Sequence, residues 1–257
     1  MILWIRNLLY WLGLAVLTPP FAILAVLILP LPRRLRHRII SGWTHSMLWW
    51  LKTTCGLSYK VIGRENIPDT PSVIASKHQS GWETMALQQI FPPQVWVLKR
   101  ELLWIPFFGW GLATMSPIAI DRGNRIEAQR KLMKQGRARL DAGFWIVVFP
   151  EGTRIRAGLA GKYKLGAARL AAQLQVPMVP VALNSGEFWP RNSFLKYPGE
   201  ITVVIGKPIL PDGRDAADMM AEAEGWIEAR QREIGGAGPC AHPDDKARRA
   251  HAHARAA

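Results

Sequence analysis

Between Arg6 and Arg33 the chain carries no charged side chain. This stretch constrains the fold most, because so long an apolar run needs either a core or a bilayer around it. A helix from Leu8 to Leu29, rising about 1.5 Å per residue, just crosses a hydrocarbon core of about 30 Å. The run is too long for a signal peptide, and no A-x-A-like cleavage site closes it. Arg33, Arg34, Arg36 and Arg38 follow at once, against Arg6 alone before it, which places the remainder of the chain on the cytoplasmic side. Trp43, Trp49 and Trp50 come next, and tryptophan favours the headgroup level of a bilayer.

Two membrane geometries compete. In one, Leu8–Leu29 spans the bilayer. In the other, Pro19 and Pro20 break the run, and a helix pair over about residues 2–29 and 34–54 inserts into one leaflet. A proline inside a helix costs about 3 kcal/mol unless the freed carbonyls find partners, which favours the second geometry. A buried hairpin in a soluble core is the bland alternative, and the length of the run argues against it. The net charge of +14 and a pI near 10.4 call for a polyanionic partner. The apolar N-terminus, with no nucleic-acid recognition motif, selects anionic membrane lipids over nucleic acid. Cys55 and Cys240 have neither metal-ligand nor redox-motif spacing.

From Leu57 the pattern changes to short apolar runs alternating with helical ones. Strands are expected over 57–63, 71–78, 94–99, 115–122, 144–154, 177–186 and 201–208, and helices over 80–91, 124–143, 166–175 and 215–234. This alternation predicts an α/β domain with a largely parallel sheet flanked by helices. Ligands of such sheets bind off the carboxyl ends of the strands. Four polar turns fall there: His78; Asp121 with Arg122; Glu151 to Arg154; and Asn184 with Ser185. The chain therefore divides into membrane-anchoring helices (1–55), a catalytic domain (56–234) and a basic tail (235–257). The tail has no apolar face and is expected to be disordered, with His251 and His253 in solvent rather than on a metal.

His78 and Glu83 stand five apart in KHQSGWET. Histidine can take a proton near neutral pH, and a carboxylate beside it fixes its tautomer. The spacing alone is weak: six His and 19 acidic residues in 257 produce about 0.4 such pairs by chance. Ser80 and Glu83 also form a capping box for a helix starting at Gly81. Five residues along one helix point about 140° apart, so the pair meets only if His78 lies in the turn before the helix. In FPEGTR, Gly152 allows close backbone approach, Thr153 offers a hydroxyl, and Arg154 offers a guanidinium that matches phosphate in a fork. Arg122 in IAIDR is a second phosphate candidate; the bland reading of either arginine is a surface ion pair.

KHQSGWET, IAIDR, FPEGTR and VPMVPVALNSG together, in this order and spacing, resemble the four blocks of the 1-acylglycerol-3-phosphate acyltransferase (PlsC) family over roughly residues 55–210. The commoner family form has Asn at the position of Lys77 and Asp at that of Glu83; the Glu form resembles a bacterial subgroup. The resemblance implies a glycerolipid acyltransferase fold at the inner face of a bacterial cytoplasmic membrane. It implies acyl transfer from acyl-CoA or acyl-carrier protein to the sn-2 hydroxyl of lysophosphatidic acid, without metal or cofactor. His78 is then the base and Glu83 its partner. Arg122 and Arg154 take the phosphate, with Glu151, Gly152 and Thr153 shaping that pocket and Lys77, Ser80 and Lys99 supporting. Rival readings are a sibling enzyme acting on glycerol 3-phosphate or a lyso-ornithine lipid, and a non-catalytic lipid-binding module. The apolar segment 101–115, through Leu103 or Phe108, is expected to border the acyl chain or to pack in the core. The basic helix 125–139 is expected on anionic lipid or in solvent.

Overall fold

The computed structural model describes residues 1–256 except Arg122 and Asn124. The strands are β1 (Leu57–Ile62), β2 (Val73–Ser76), β3 (Gln94–Lys99), β4 (Ile118–Ile120), β5 (Trp145–Val148), β6 (Met178–Leu183) and β7 (Gly199–Ile205). They form one sheet in the order β1-β7-β6-β2-β5-β3-β4, in which only the β6–β7 pair is antiparallel. The helices are α1 (Ile2–Leu27), α2 (Arg33–Cys55), α3 (Glu83–Ile90), α4 (Phe108–Thr114), α5 (Arg125–Asp141), α6 (Gly166–Leu174), α7 (Ala216–Ile234) and α8 (Pro243–Ala256).

The central strands read as unbroken apolar runs because both sheet faces are covered. Alternate residues serve opposite sides. Ile74, Trp145 and Val147 pack with α2 and α3, whereas Val73, Ala75, Ile146 and Val148 pack with α5, α6 and α7. Gly136 of α5 permits the close approach of α6: a Cβ there would lie 2.8 Å from Leu170 Cδ1.

Pro19 and Pro20 do not break α1, which runs through them. Packing along α2 and α4 offsets the lost hydrogen bonds; Trp50 of α2, for example, lies over Gly13 and donates its Nε1–H to Leu9 O at 3.0 Å. One stripe of α1 is buried at Asn7, Tyr10, Ala22 and Ala25, while Ile2, Trp4, Ile5, Leu8, Leu12, Val16 and Ile23 are exposed. Ala25, near the end of the helix, clusters with Met115, and the first half of the helix is tied to the loop before β7. Asn7 exchanges two hydrogen bonds with the Lys196 backbone (2.7 and 3.0 Å). The Lys196 ammonium is buried among the rings of Tyr10, Trp11, Trp189 and Phe194, nearest Trp11 at 3.7 Å. Burial lowers its pKa to about 7, while the ring faces favour the charged form.

The expectation of a disordered tail is not met. Glu187, fully buried after β6, accepts the backbone N–H groups of Gly236, Ala237 and Gly238 at 2.7–2.9 Å, and α8 follows. This carboxylate, remote in sequence, holds the tail by its backbone, which needs no apolar face.

Candidate active site

β2 ends at Ser76 on the sheet edge, so Lys77 and His78 leave from its carboxyl end. The chain turns before α3, and the capping residues organise that turn. Ser80 Oγ accepts the Trp82 N–H at 2.9 Å. Glu83 Oε1 accepts the N–H groups of Gln79 and Ser80, each at 2.9 Å, and Oε2 accepts Ser80 N–H at 3.1 Å. Ser185, beyond the end of β6, donates its hydroxyl to Glu83 Oε1. α3 begins at Glu83 rather than Gly81, so His78 lies in the turn and the two side chains meet.

His78 Nδ1 lies 3.5 Å from Glu83 Oε2. Nδ1 is buried with no hydrogen-bond partner among the described residues, so a modest closure on Glu83 satisfies it. The imidazole stacks on Phe149 with centroids 3.8 Å apart and planes 10° apart, and Phe149 in turn stacks on Trp96. His78 lines the cavity, and with Nδ1 turned to the carboxylate Nε2 is the ring nitrogen left to serve a ligand there.

Glu151 does not face that cavity. Its buried carboxylate accepts the His78 N–H at 3.0 Å through Oε2 and lies 2.7 Å from Lys77 Nζ through Oε1. Burial raises its pKa, and Lys77 opposes the rise. Ile155 N–H donates to His78 O at 2.8 Å, so both backbone groups of the histidine are held by the segment after β5. Lys77 is likewise buried and faces away from the cavity. Gly152 lines the cavity with φ +68°, and a Cβ there would lie 2.8 Å from Lys164 Nζ, so it makes room for that lysine. Thr153 is exposed at the cavity rim, Arg154 and Lys99 line the cavity, and Ser80 serves the cap. Arg122 lies outside the described residues. Asn184 turns away, accepting Thr202 N–H and donating to Ile234 O, so of that turn only Ser185 joins the site.

The cavity measures about 1110 Å³. Phe21 and Ala22 of α1, Ile40 and Trp43 of α2, and Phe108, Leu112 and Met115 are among its apolar lining residues. Lys99, Arg154, Lys162, Lys164, Arg169 and Arg191 line it too, and no carboxylate is among its described lining residues. Of the two readings of segment 101–115, Leu103 follows core packing, partly buried against the core, whereas Phe108 lines the cavity. Lys162, Lys164, Arg169 and Arg191 are absent from the motif reading. The period-2 run Lys-Tyr-Lys is the signal that finds two of them: Tyr163 is buried while Lys162 and Lys164 are exposed on the cavity side.

A histidine backed by a buried carboxylate at the carboxyl end of a central strand, over a cavity lined by both apolar and cationic side chains, is an arrangement suited to acyl transfer onto an anionic lipid. The family model described as Acyltransferase matches residues 58–184. A 1-acyl-sn-glycerol-3-phosphate acyltransferase of Pseudomonas aeruginosa is 43% identical over 235 residues, covering 90% of this chain and 91% of that protein. The human 1-acyl-sn-glycerol-3-phosphate acyltransferase alpha is 31% identical over 181 residues, covering 69% and 64%. The crystal structure of the 1-acyl-sn-glycerophosphate (LPA) acyltransferase PlsC from Thermotoga maritima superposes with a TM-score of 0.74 at 21% identity, covering 90% and 95%, and shares the fold. The chain belongs to the 1-acyl-sn-glycerol-3-phosphate acyltransferase family.

Proposed function

We propose that this protein transfers an acyl group from acyl-CoA or acyl-carrier protein to the sn-2 hydroxyl of lysophosphatidic acid, making phosphatidic acid in phospholipid synthesis. The observation that carries this is His78, with Nδ1 turned to buried Glu83, lining a cavity walled by both apolar and cationic side chains. His78 Nε2 takes the hydroxyl proton as the oxygen attacks the thioester carbonyl. The tetrahedral intermediate then expels the thiolate, which receives the proton back from His78. Glu83 holds the Nδ1–H tautomer and stabilises the imidazolium. Arg154 and Lys164 take the acceptor phosphate, joined by Arg122 on the strength of the sequence motif. The acyl chain lies between α1, α2 and α4, and the thioester is the only co-substrate the scheme requires.

The membrane geometry follows from α1. A helix that meets the catalytic domain at both Asn7 and Ala22 lies along its flank, so we place α1 in the cytoplasmic leaflet of the bacterial inner membrane rather than across it. Trp104, Ile105, Phe107 and Trp110, exposed beside α1, extend the same lipid-facing surface. The basic surface contributes attraction to anionic lipid.

The test is thiol release from acyl-CoA and acyl-carrier protein thioesters with lysophosphatidic acid, glycerol 3-phosphate or a lyso-ornithine lipid as acceptor. Release with lysophosphatidic acid as the preferred acceptor, abolished in a folded His78→Ala, is the expected result. Binding of lysophosphatidic acid without thiol release identifies a non-catalytic lipid module and refutes the proposal.

A further inference from the structure

The motif blocks end near residue 186, yet the loop carrying His78 is held from behind by α7. Lys77 is fully buried, and its ammonium has three partners: Glu151 Oε1 and Glu228 Oε1, each at 2.7 Å, and Leu159 O at 3.2 Å. Glu228 also accepts the hydroxyl of Tyr163 at 2.8 Å. One turn further along α7, Gln231 accepts from Gln79 Nε2 at 2.9 Å and donates to Leu183 O at 2.7 Å. Gln79 Oε1 then accepts Gly186 N–H at 3.0 Å. Residues three apart share a helix face, so one face of α7 grips the residues on both sides of the histidine in sequence.

The physical demand for this grip is visible in Lys77. A buried ammonium is tolerated only when paired and hydrogen-bonded. Glu151 is already committed through its other oxygen to His78 N–H. Without Glu228, Lys77 and Tyr163 each lose a partner, and the lysine must re-seat on Glu151 or move towards water. Either movement shifts the carboxylate that fixes the histidine main chain.

We propose that Glu228 and Gln231 are positioning residues for the reaction: through Lys77–Glu151 and through Gln79 they set the position of His78 without touching substrate. This rests on His78 being the base in the reaction proposed above. The required property of Glu228 is an acceptor at that point, not its charge, since a glutamine oxygen can receive both Lys77 and Tyr163.

The experiment uses full-length Glu228→Leu, Glu228→Gln and Gln231→Leu in detergent micelles. Steady-state thiol release gives kcat and both KM values, and hydrogen exchange is followed in the peptide spanning residues 76–83. A misplacement of about 1 Å can cost 10²-fold, so Glu228→Leu is expected to lose about 10–100-fold in kcat with both KM values unchanged. Exchange should rise in 76–83 but not across the sheet, and Glu228→Gln should stay within about threefold of the parent. Wild-type kcat and exchange in Glu228→Leu overturn the inference, as does a glutamine variant no better than leucine. Should Glu228→Leu not fold, Gln231→Leu carries the same test: faster exchange in 76–83 with lower kcat supports the inference, and unchanged values overturn it. A parent protein that releases no thiol refutes the proposed function instead, and the exchange data still decide the positioning.

Discussion

Replacing Glu83 by glutamine separates the charge of this residue from its shape. Three donors converge on Oε1, from Gln79 N–H, Ser80 N–H and the Ser185 hydroxyl. They force the amide oxygen of Gln into that place, so the amide nitrogen takes the place of Oε2, 3.5 Å from His78 Nδ1. His78 must then present a lone pair at Nδ1 and carry its proton on Nε2, the nitrogen that should act as base. The imidazolium formed during attack also loses a neighbouring negative charge. Two unit charges 3.5 Å apart attract by about 5 kcal/mol at an effective dielectric of about 20. Allowing for relaxation, the loss in transition-state stabilisation is about 3–4 kcal/mol, or about 10²–10³ in kcat. Thiol release should show this fall with both KM values unchanged, and His78→Ala should fall at least as far. Glu83→Asp, one methylene shorter, cannot reach the backbone donors and His78 together and should lie between glutamine and the parent. A folded Glu83→Gln that keeps more than about a tenth of parental kcat would refute the reasoning.

Three further outcomes are expected. Gly152→Ala puts a methyl against Lys164 at a residue with φ +68°, so it should raise the KM for lysophosphatidic acid and lower stability by about 1–2 kcal/mol, measured by substrate titration and thermal melting. Phe108→Ala enlarges the cavity and should shift acyl-length preference, whereas Leu103→Ala should cost stability and leave selectivity alone; competition among thioesters of graded length checks both. His37 is buried with Nε2 accepting Gln94 N–H, and burial lowers its pKa from 6.5 to about 4. The unfolded chain therefore binds a proton that the folded one refuses: this contribution is complete above pH 6.5, about 2 kcal/mol smaller at pH 5, and exhausted below about pH 4. Melting curves across that range should lose the step in a folded His37→Gln.

The sheet was legible in the sequence because its central strands are buried on both faces and so appear as short β-branched runs between polar turns. The proximity of His78 and Glu83 was legible too, since the capping box places the histidine before the helix. The direction of Glu151 was not: a carboxylate beside an arginine reads the same whether it faces ligand or Lys77, and only the fold brings Glu228 alongside to settle it. Lys162, Lys164, Arg169 and Arg191 reach the cavity from a long segment after β5, from α6 and from the loop after β6, which spacing cannot bring together. Glu187 holds the tail by backbone bonds, which leave no pattern in the side chains they organise.

The ammonium of Lys196 within its four aromatic rings, with Asn7 beside it, makes the N-terminal helix a fixed wall of the enzyme rather than a leash. In the leaflet placement proposed above, such an enzyme meets its lipid by lateral diffusion. Its rate should therefore follow the mole fraction of lysolipid in the surface, falling as inert phospholipid dilutes that surface even while the total amount of substrate is constant.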